Sequence, residues 1–419
     1  MQHDFVAEIL RATTALRSGD PAGATAIIQA ALAAGGLAAA GSEPNGAGGG
    51  FKRPQQADAY DIEGTLATDG PDDANGNVHP RPPAPGQRPR QPLGDVIRIL
   101  AEGRKRLGPD GRRRGSALKS GTPDLSLPDG AELRDLHYSC TAGARRYRLY
   151  VPASASDGLQ GLIVMLHGCT QTPEDFAAGT GMNGLAEVHR LLVVYPAQTN
   201  GDNAMSCWNW FHPGDQRRDA GEPAIIAGLT TNIRDDFAIR HDRVFVAGLS
   251  AGGAMAAILG ETYPELYAGI GIHSGLAYGS ANDVTSAFSA MRGQSAVEPP
   301  RRPSPPAAPR VIVFHGGDDT TVHPTNADRI VARQSHQDGA AARTTRSEHA
   351  PSGETRGYRK LVTAGEDGTR VLECWIVDGA EHAWSGGRPT GTYTDPRGPD
   401  ASAAMVDFFL DGCAEAAAA

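Results

Sequence analysis

One run of twelve residues, Val244-Phe245-Val246-Ala247-Gly248-Leu249-Ser250-Ala251-Gly252-Gly253-Ala254-Met255, leaves this chain few ways to fold. A β-favouring apolar stretch breaks at a glycine, places a single serine, and resumes as an alanine-rich helix that ends near Tyr263-Pro264. Glycines two residues before and two after Ser250 leave room for a very tight strand-to-helix turn, which strains the serine backbone and lifts its hydroxyl clear. A side chain at Gly248 or Gly252 would collide across that turn. The pattern G-x-S-x-G recurs by chance, and the competing reading is a glycine-rich turn with a structural serine. The flanking strand and helix favour a nucleophile elbow.

Around that elbow the chain alternates between β-like and helical runs. Tyr147–Val151 reads as an edge strand ending at Pro152, and Gly161–Leu166 as a strand buried on both faces. Thr172 and Pro173 start a helix that should run to about Arg190, followed by a strand over Leu191–Pro196 and a helix from Pro223 to about Phe237. After the elbow helix come strands over Gly269–Ile272, Val311–Phe314 and Val371–Val377, a helix after Pro324, and a last helix from about Ala401 to Leu410. An insertion rich in Pro, Ser and Arg occupies about 280–309. Strands alternating with helices predict a mostly parallel sheet covered on both faces, the α/β-hydrolase class, over a catalytic domain at 123–412.

The first part of the chain reads differently. Phe5, Val6, Ile9, Leu10 and Leu16, then Ile27, Ile28 and Leu32, form two apolar helical stripes separated by Ser18-Gly19-Asp20-Pro21, which predicts a helical hairpin over 1–34. Residues from about 35 to 92 carry Gly46–Gly50 and Arg81–Gly86 and almost no periodic apolar residues, and 35–122 is read as a disordered, partly basic linker. Its basic end (Arg104, Lys105, Arg106, Arg112, Arg113, Arg114, Lys119) is read as a solvated linker, with an electrostatic tether as the alternative. The 39 basic against 48 acidic residues, a net charge of −9, argue against a nucleic-acid partner. No apolar run approaches the ~20 residues of a membrane span. The N-terminus carries Asp4 and Glu8 where a secretory leader would be basic and then apolar, so a cytoplasmic location is expected.

A serine hydroxyl needs a histidine to take its proton and a carboxylate to orient that histidine. In this topology they follow the serine in the order acid, histidine, each on a loop after a later strand. His315-Gly316-Gly317-Asp318-Asp319 follows one strand and Asp378-Gly379-Ala380-Glu381-His382 follows another. His382 is preferred over His273, His315, His323 and His349, and Asp319 over Asp318. The oxyanion donors are expected to be the backbone N–H groups of Ala251 and Cys169. Trp208, Trp210, Phe211 and Trp384 are read as aromatic surface beside the site, with core packing the competing reading. No metal or nucleotide motif accompanies them, and no cofactor is implied. The five cysteines contain no C-x-x-C pair.

Several segments, taken in order, resemble the polyhydroxybutyrate depolymerase family of esterases, close to feruloyl and acetyl-xylan esterases. They are Leu166–Thr172, Cys207–Phe211, Ala247–Met255, His315–Asp319 and His382–Gly387. The resemblance spans roughly 135–411 and implies a triad of Ser250, Asp319 and His382, oxyanion donors at Cys169 and Ala251, and ester substrates such as hydroxyalkanoate oligomers. A second, non-enzymatic reading is a tethered scaffold on a decayed hydrolase fold; the complete residue set argues against it. Cys169 and Cys207 open two loops at the same end of the sheet and are expected within bonding range, with Cα atoms closer than ~7 Å. Such a bond favours an oxidising compartment, against the cue from the N-terminus.

Overall fold

A computed structural model describes residues 127–199, 201–203, 205–294, 308–335 and 343–411. The hairpin expected over 1–34 and the linker and basic stretch expected over 35–122 lie outside the described residues. Among the described residues the strands form a ten-stranded sheet in the order β1-β2-β4-β3-β5-β6-β7-β10-β9-β8. They are β1 (Glu132–Cys140), β2 (Gly143–Val151), β3 (Gly161–Leu166), β4 (Leu191–Pro196), β5 (Val244–Leu249), β6 (Gly269–His273), β7 (Arg310–Gly316), β8 (Arg343–His349), β9 (Tyr358–Ala364) and β10 (Arg370–Val377). The six from β4 to β10 run parallel, while β1–β2 and β9–β8 flank them as antiparallel hairpins.

The apolar runs explain the middle of this sheet. Every residue of β3, β4, β5 and β6 is buried, as strands covered on both faces require. Alternate residues feed separate cores: Leu162, Val164 and Leu166 point to one, Ile163 and Met165 to the other. The first core is closed by α3 (Gly221–Asp236), α4 (Ala251–Thr262), α5 (Val284–Met291) and α6 (Thr325–Ser335), and the second by α1 (Pro173–Thr180), α2 (Met182–His189) and α7 (Ala401–Leu410). In the second core Phe409 lies flat on Phe245, ring centroids 4.8 Å apart. No described helix is long and apolar enough to cross a membrane.

Four expectations need correction. Tyr147–Val151 belongs to an inner strand, because β1 pairs along the whole of β2 and takes the edge. The single helix expected over 173–190 is two, divided at Gly181, whose left-handed φ of 63° ends α1. Arg388 packs over that glycine so closely that a Cβ would lie 2.6 Å from its Nε. The segment 280–309 contains a helix, α5, started by an Asp283–Ser286 capping box. The β8–β9 hairpin was missed because β8 is exposed at all seven positions and so carries no apolar alternation to read. Charges at Arg343, Arg346 and Glu348 suit an edge that should not pair further.

Candidate active site

Ser250 stands between β5 and α4 with φ 58° and ψ −117°, a conformation costly for a non-glycine residue. The glycines permit it. A Cβ on Gly248 would lie 2.3 Å from the carbonyl carbon of Gly252, and one on Gly252 would lie 2.1 Å from the Leu166 carbonyl oxygen. The Ser250 N–H donates to the His273 carbonyl at 2.8 Å, while its hydroxyl has no hydrogen-bond partner among the described residues.

Asp319 and His382 come together from the loops after β7 and β10. His382 Nδ1 lies 2.7 Å from Asp319 Oδ2. A carboxylate can only accept, so Nδ1 carries the proton and Nε2, which has no partner among the described residues, presents its lone pair. The other Asp319 oxygen accepts from the N–H groups of Thr321 and Val322 at 2.9 and 2.8 Å. Burial alone would raise the Asp319 carboxyl, but the charge and hydrogen bond of His382 hold it below the ordinary aspartate value. Asp318 is exposed. No hydrogen bond joins any rival histidine to the Asp319 carboxylate among the described residues. His323 and His349 are exposed, and His315 is buried with Nε2 donating to the Val322 carbonyl at 2.7 Å, 3.6 Å from Asp319 Oδ2.

His273, at the end of β6, joins the two halves of the site. Its carbonyl holds the Ser250 N–H, its Nε2 accepts the Ser385 N–H at 2.9 Å, and its ring stacks on Trp384 at 4.9 Å. It thus ties the elbow to the segment just after His382. Burial pushes its pKa well down, which keeps the Nε2 lone pair available for Ser385. The sequence offered His273 only as a rival base; a histidine closing the strand next to the elbow is the signal that could have marked it.

The loop after β3 is braced from three sides. His167 is fully buried, its Nε2 accepts from the Gln198 N–H at 3.0 Å, and burial pushes its pKa down to about 4. Gln171 Oε1 accepts the Gly168 N–H at 2.9 Å. Cys169 is bonded to Cys207 with Cα atoms 4.3 Å apart, within the expected range. The N–H groups of Cys169 and Ala251 have no hydrogen-bond partner among the described residues. With a sequence separation of 38, the disulfide should contribute about 3–4 kcal/mol through the entropy of the unfolded chain. Replacing both cysteines by alanine should lower the unfolding free energy in urea by that amount; an unchanged midpoint would show that the bond constrains little.

The aromatic wall expected from Trp208, Trp210 and Trp384 is corrected. Trp208 and Trp384 are essentially inaccessible, and each spends its indole N–H inside, on the His167 carbonyl at 3.0 Å and on Ser402 Oγ at 3.0 Å. Trp384 also meets the edge of Phe176. Trp210 is buried and packs edge-on against Phe211. Burial of all three rings, with the single donor of Trp208 and of Trp384 satisfied internally, makes them framework that holds the loops, not surface for a ligand.

Sequence reasoning missed Glu222, the hub behind the Cys207–Trp208 loop. It is 3% exposed and accepts from the Asn209 N–H at 2.7 Å, Asn209 Nδ2 at 2.9 Å, Gln198 Nε2 at 2.5 Å and Arg145 Nη2 at 3.2 Å. Nothing local distinguishes it from an ordinary acid in a first helical turn. Burial pushes its pKa up to about 7 from 4.5, so this carboxyl favours the folded state below pH 4.5 and loses that contribution as pH rises through 7. Glu222→Gln removes the titration. Relative to the wild type, the variant should therefore gain about 2.5 kcal/mol of stability between pH 5 and pH 8, read from urea unfolding at the two pH values. An offset that does not change with pH would refute this. Among the described residues no group of three or more His, Cys, Asp or Glu could hold a metal ion.

A family model described as "Esterase PHB depolymerase" matches residues 145–358. The chain is 32% identical over 253 residues to poly(3-hydroxyalkanoate) depolymerase C of Paucimonas lemoignei, covering 56% of each chain. It is 27% identical over 193 residues to acetylxylan esterase A of Talaromyces purpureogenus, covering 42% of this chain and 50% of that one. It thus spans about half the length of these curated relatives. Among solved structures, an acetyl xylan esterase from Aspergillus awamori aligns over 60% of this chain and 93% of its own, with 21% identity and a TM-score of 0.49.

Proposed function

Because the chain belongs to the PHB depolymerase family of esterases, we propose that it is a serine carboxylic ester hydrolase working through Ser250, His382 and Asp319. The observation that carries this reading is the 2.7 Å contact between His382 and a buried Asp319, with Nε2 of the histidine unpartnered among the described residues and Ser250 raised on a strained elbow. His382 Nε2 takes the Ser250 proton as Oγ attacks the ester carbonyl. The resulting oxyanion is held by the N–H groups of Cys169 and Ala251, both without a hydrogen-bond partner among the described residues. Collapse breaks the bond to the leaving oxygen, which receives the proton from His382 and departs as alcohol. Water, deprotonated by the same imidazole, then cleaves the acyl-enzyme to the acid and restores Ser250. Asp319 keeps the imidazole in its Nδ1–H form and balances the charge it acquires.

For substrate we favour oligomers of hydroxyalkanoates, following the depolymerase relative; an acetyl or feruloyl ester on a polysaccharide is the second reading, supported by the acetylxylan esterase relative. A panel of 3-hydroxybutyrate oligomers, acetylated xylo-oligosaccharide and methyl ferulate separates them. The first reading expects the highest kcat/KM on the hydroxybutyrate oligomers, and a clear preference for either of the others would replace it.

A further inference from the structure

Large hydrophobic side chains left in water are few among the described residues, and two of the five belong to residues hydrogen-bonded to Thr170, one through its backbone and one through its hydroxyl. Met205 is 42% exposed and Tyr393 48% exposed, and both touch Thr170, the residue after Cys169. The Met205 carbonyl accepts the Thr170 N–H at 2.9 Å, and Thr170 Oγ1 lies 3.2 Å from the Tyr393 hydroxyl. Both Thr170, with φ 66°, and Tyr393, with φ 52°, hold the left-handed backbone that a β-branched or bulky residue takes at a cost. The Tyr393 loop is fixed in place. Its carbonyl accepts the Trp384 N–H at 2.7 Å, and the preceding Thr392 is gripped by Asp175 and Gln171. A rigid, strained loop that presents an aromatic ring to solvent beside the oxyanion loop is where binding is expected.

Thr170 and Met205 also line a cleft of about 580 Å³, within the ~300–1,000 Å³ of small-ligand sites. It reaches past β4 to Tyr147 and Arg148 of β2, two strand spacings or roughly 10 Å from the loop after β3. Its charges are mutually neutralised: Asp135 pairs with Arg146 and Arg148, and Arg148 with Glu174. Such a cleft has no net charge to offer an ionic ligand and suits a neutral chain. We propose that Met205 and Tyr393 form the entrance to this cleft and determine specificity by packing against the aliphatic chain of a neutral ester substrate. The inference rests on Ser250 being the nucleophile.

The test compares 4-nitrophenyl octanoate with 4-nitrophenyl acetate. In Tyr393→Asn, which keeps a residue tolerant of the left-handed backbone, and in Met205→Gln, the octanoate-to-acetate ratio of kcat/KM should fall on the order of tenfold, mainly through KM. Tyr393→Phe should keep the wild-type ratio, since the ring and not its hydroxyl makes the contact. An unchanged ratio in the first two variants, or a fall in Tyr393→Phe as large as in Tyr393→Asn, overturns the proposal. So does a loss confined to acetylated xylo-oligosaccharide, which would make the rim a sugar platform. Labelling of Ser250 by a small fluorophosphonate distinguishes the two levels: wild type and variants that label while the chain-length ratio stays constant keep the esterase reading and lose the rim. A wild type that does not label loses both.

Discussion

Ser250→Ala should lower ester hydrolysis by about 10⁵–10⁶-fold and abolish covalent labelling by a fluorophosphonate, with the unfolding midpoint little changed. The size of the effect follows from its place in the reaction. Alanine cannot form the acyl-enzyme, and what survives is the slow attack of water assisted by the oxyanion donors and by binding alone. The fold should tolerate the change because the serine side chain makes no hydrogen bond among the described residues, and its backbone is held by the His273 carbonyl and by the close packing of Gly248 on Gly252. Equal labelling of Ser250→Ala and wild type would mean that another residue is the nucleophile, and the reading of the elbow would fail.

The second large effect belongs to the acid. Asp319→Asn should reduce kcat by about 10⁴-fold while the protein stays folded, because an amide facing Nδ1 no longer selects the tautomer with a free Nε2. Asn can still accept from Thr321 and Val322, so the turn should persist. Asp318→Asn should change kcat by no more than about threefold, since that side chain faces solvent and the residue contributes its backbone N–H to the Ala380 carbonyl instead. A larger loss in Asp318→Asn than in Asp319→Asn, measured on the same soluble ester, would transfer the role by one position.

Much of this site could be read in one dimension because it depends on local sterics and on periodicity. The glycines around Ser250 announce a turn that no other residue fits, and the contacts a Cβ would make at Gly248 and Gly252 are the collisions expected from the pattern. Uninterrupted apolar runs mark strands covered on both faces, and chain order then places the acid and histidine loops on the edge that carries the elbow. The approach of Cys169 to Cys207 follows from the same edge.

What the tertiary structure decided were choices between chemically equivalent neighbours and between inside and outside. The adjacent aspartates at 318 and 319 are the same residue type on the same loop, and it is the turn after β7 that buries Asp319 and exposes Asp318. Trp208 and Trp384 look like a ligand surface until their indole N–H groups are seen to be satisfied inside the core, while Tyr393, in an unremarkable polar stretch, is an aromatic left in water. Glu222 becomes a hub, and Thr170 meets a tyrosine 223 residues away, because sheet order and loop packing bring distant segments together. Periodicity tells which face of an element is apolar; only the assembled layers determine what that face meets.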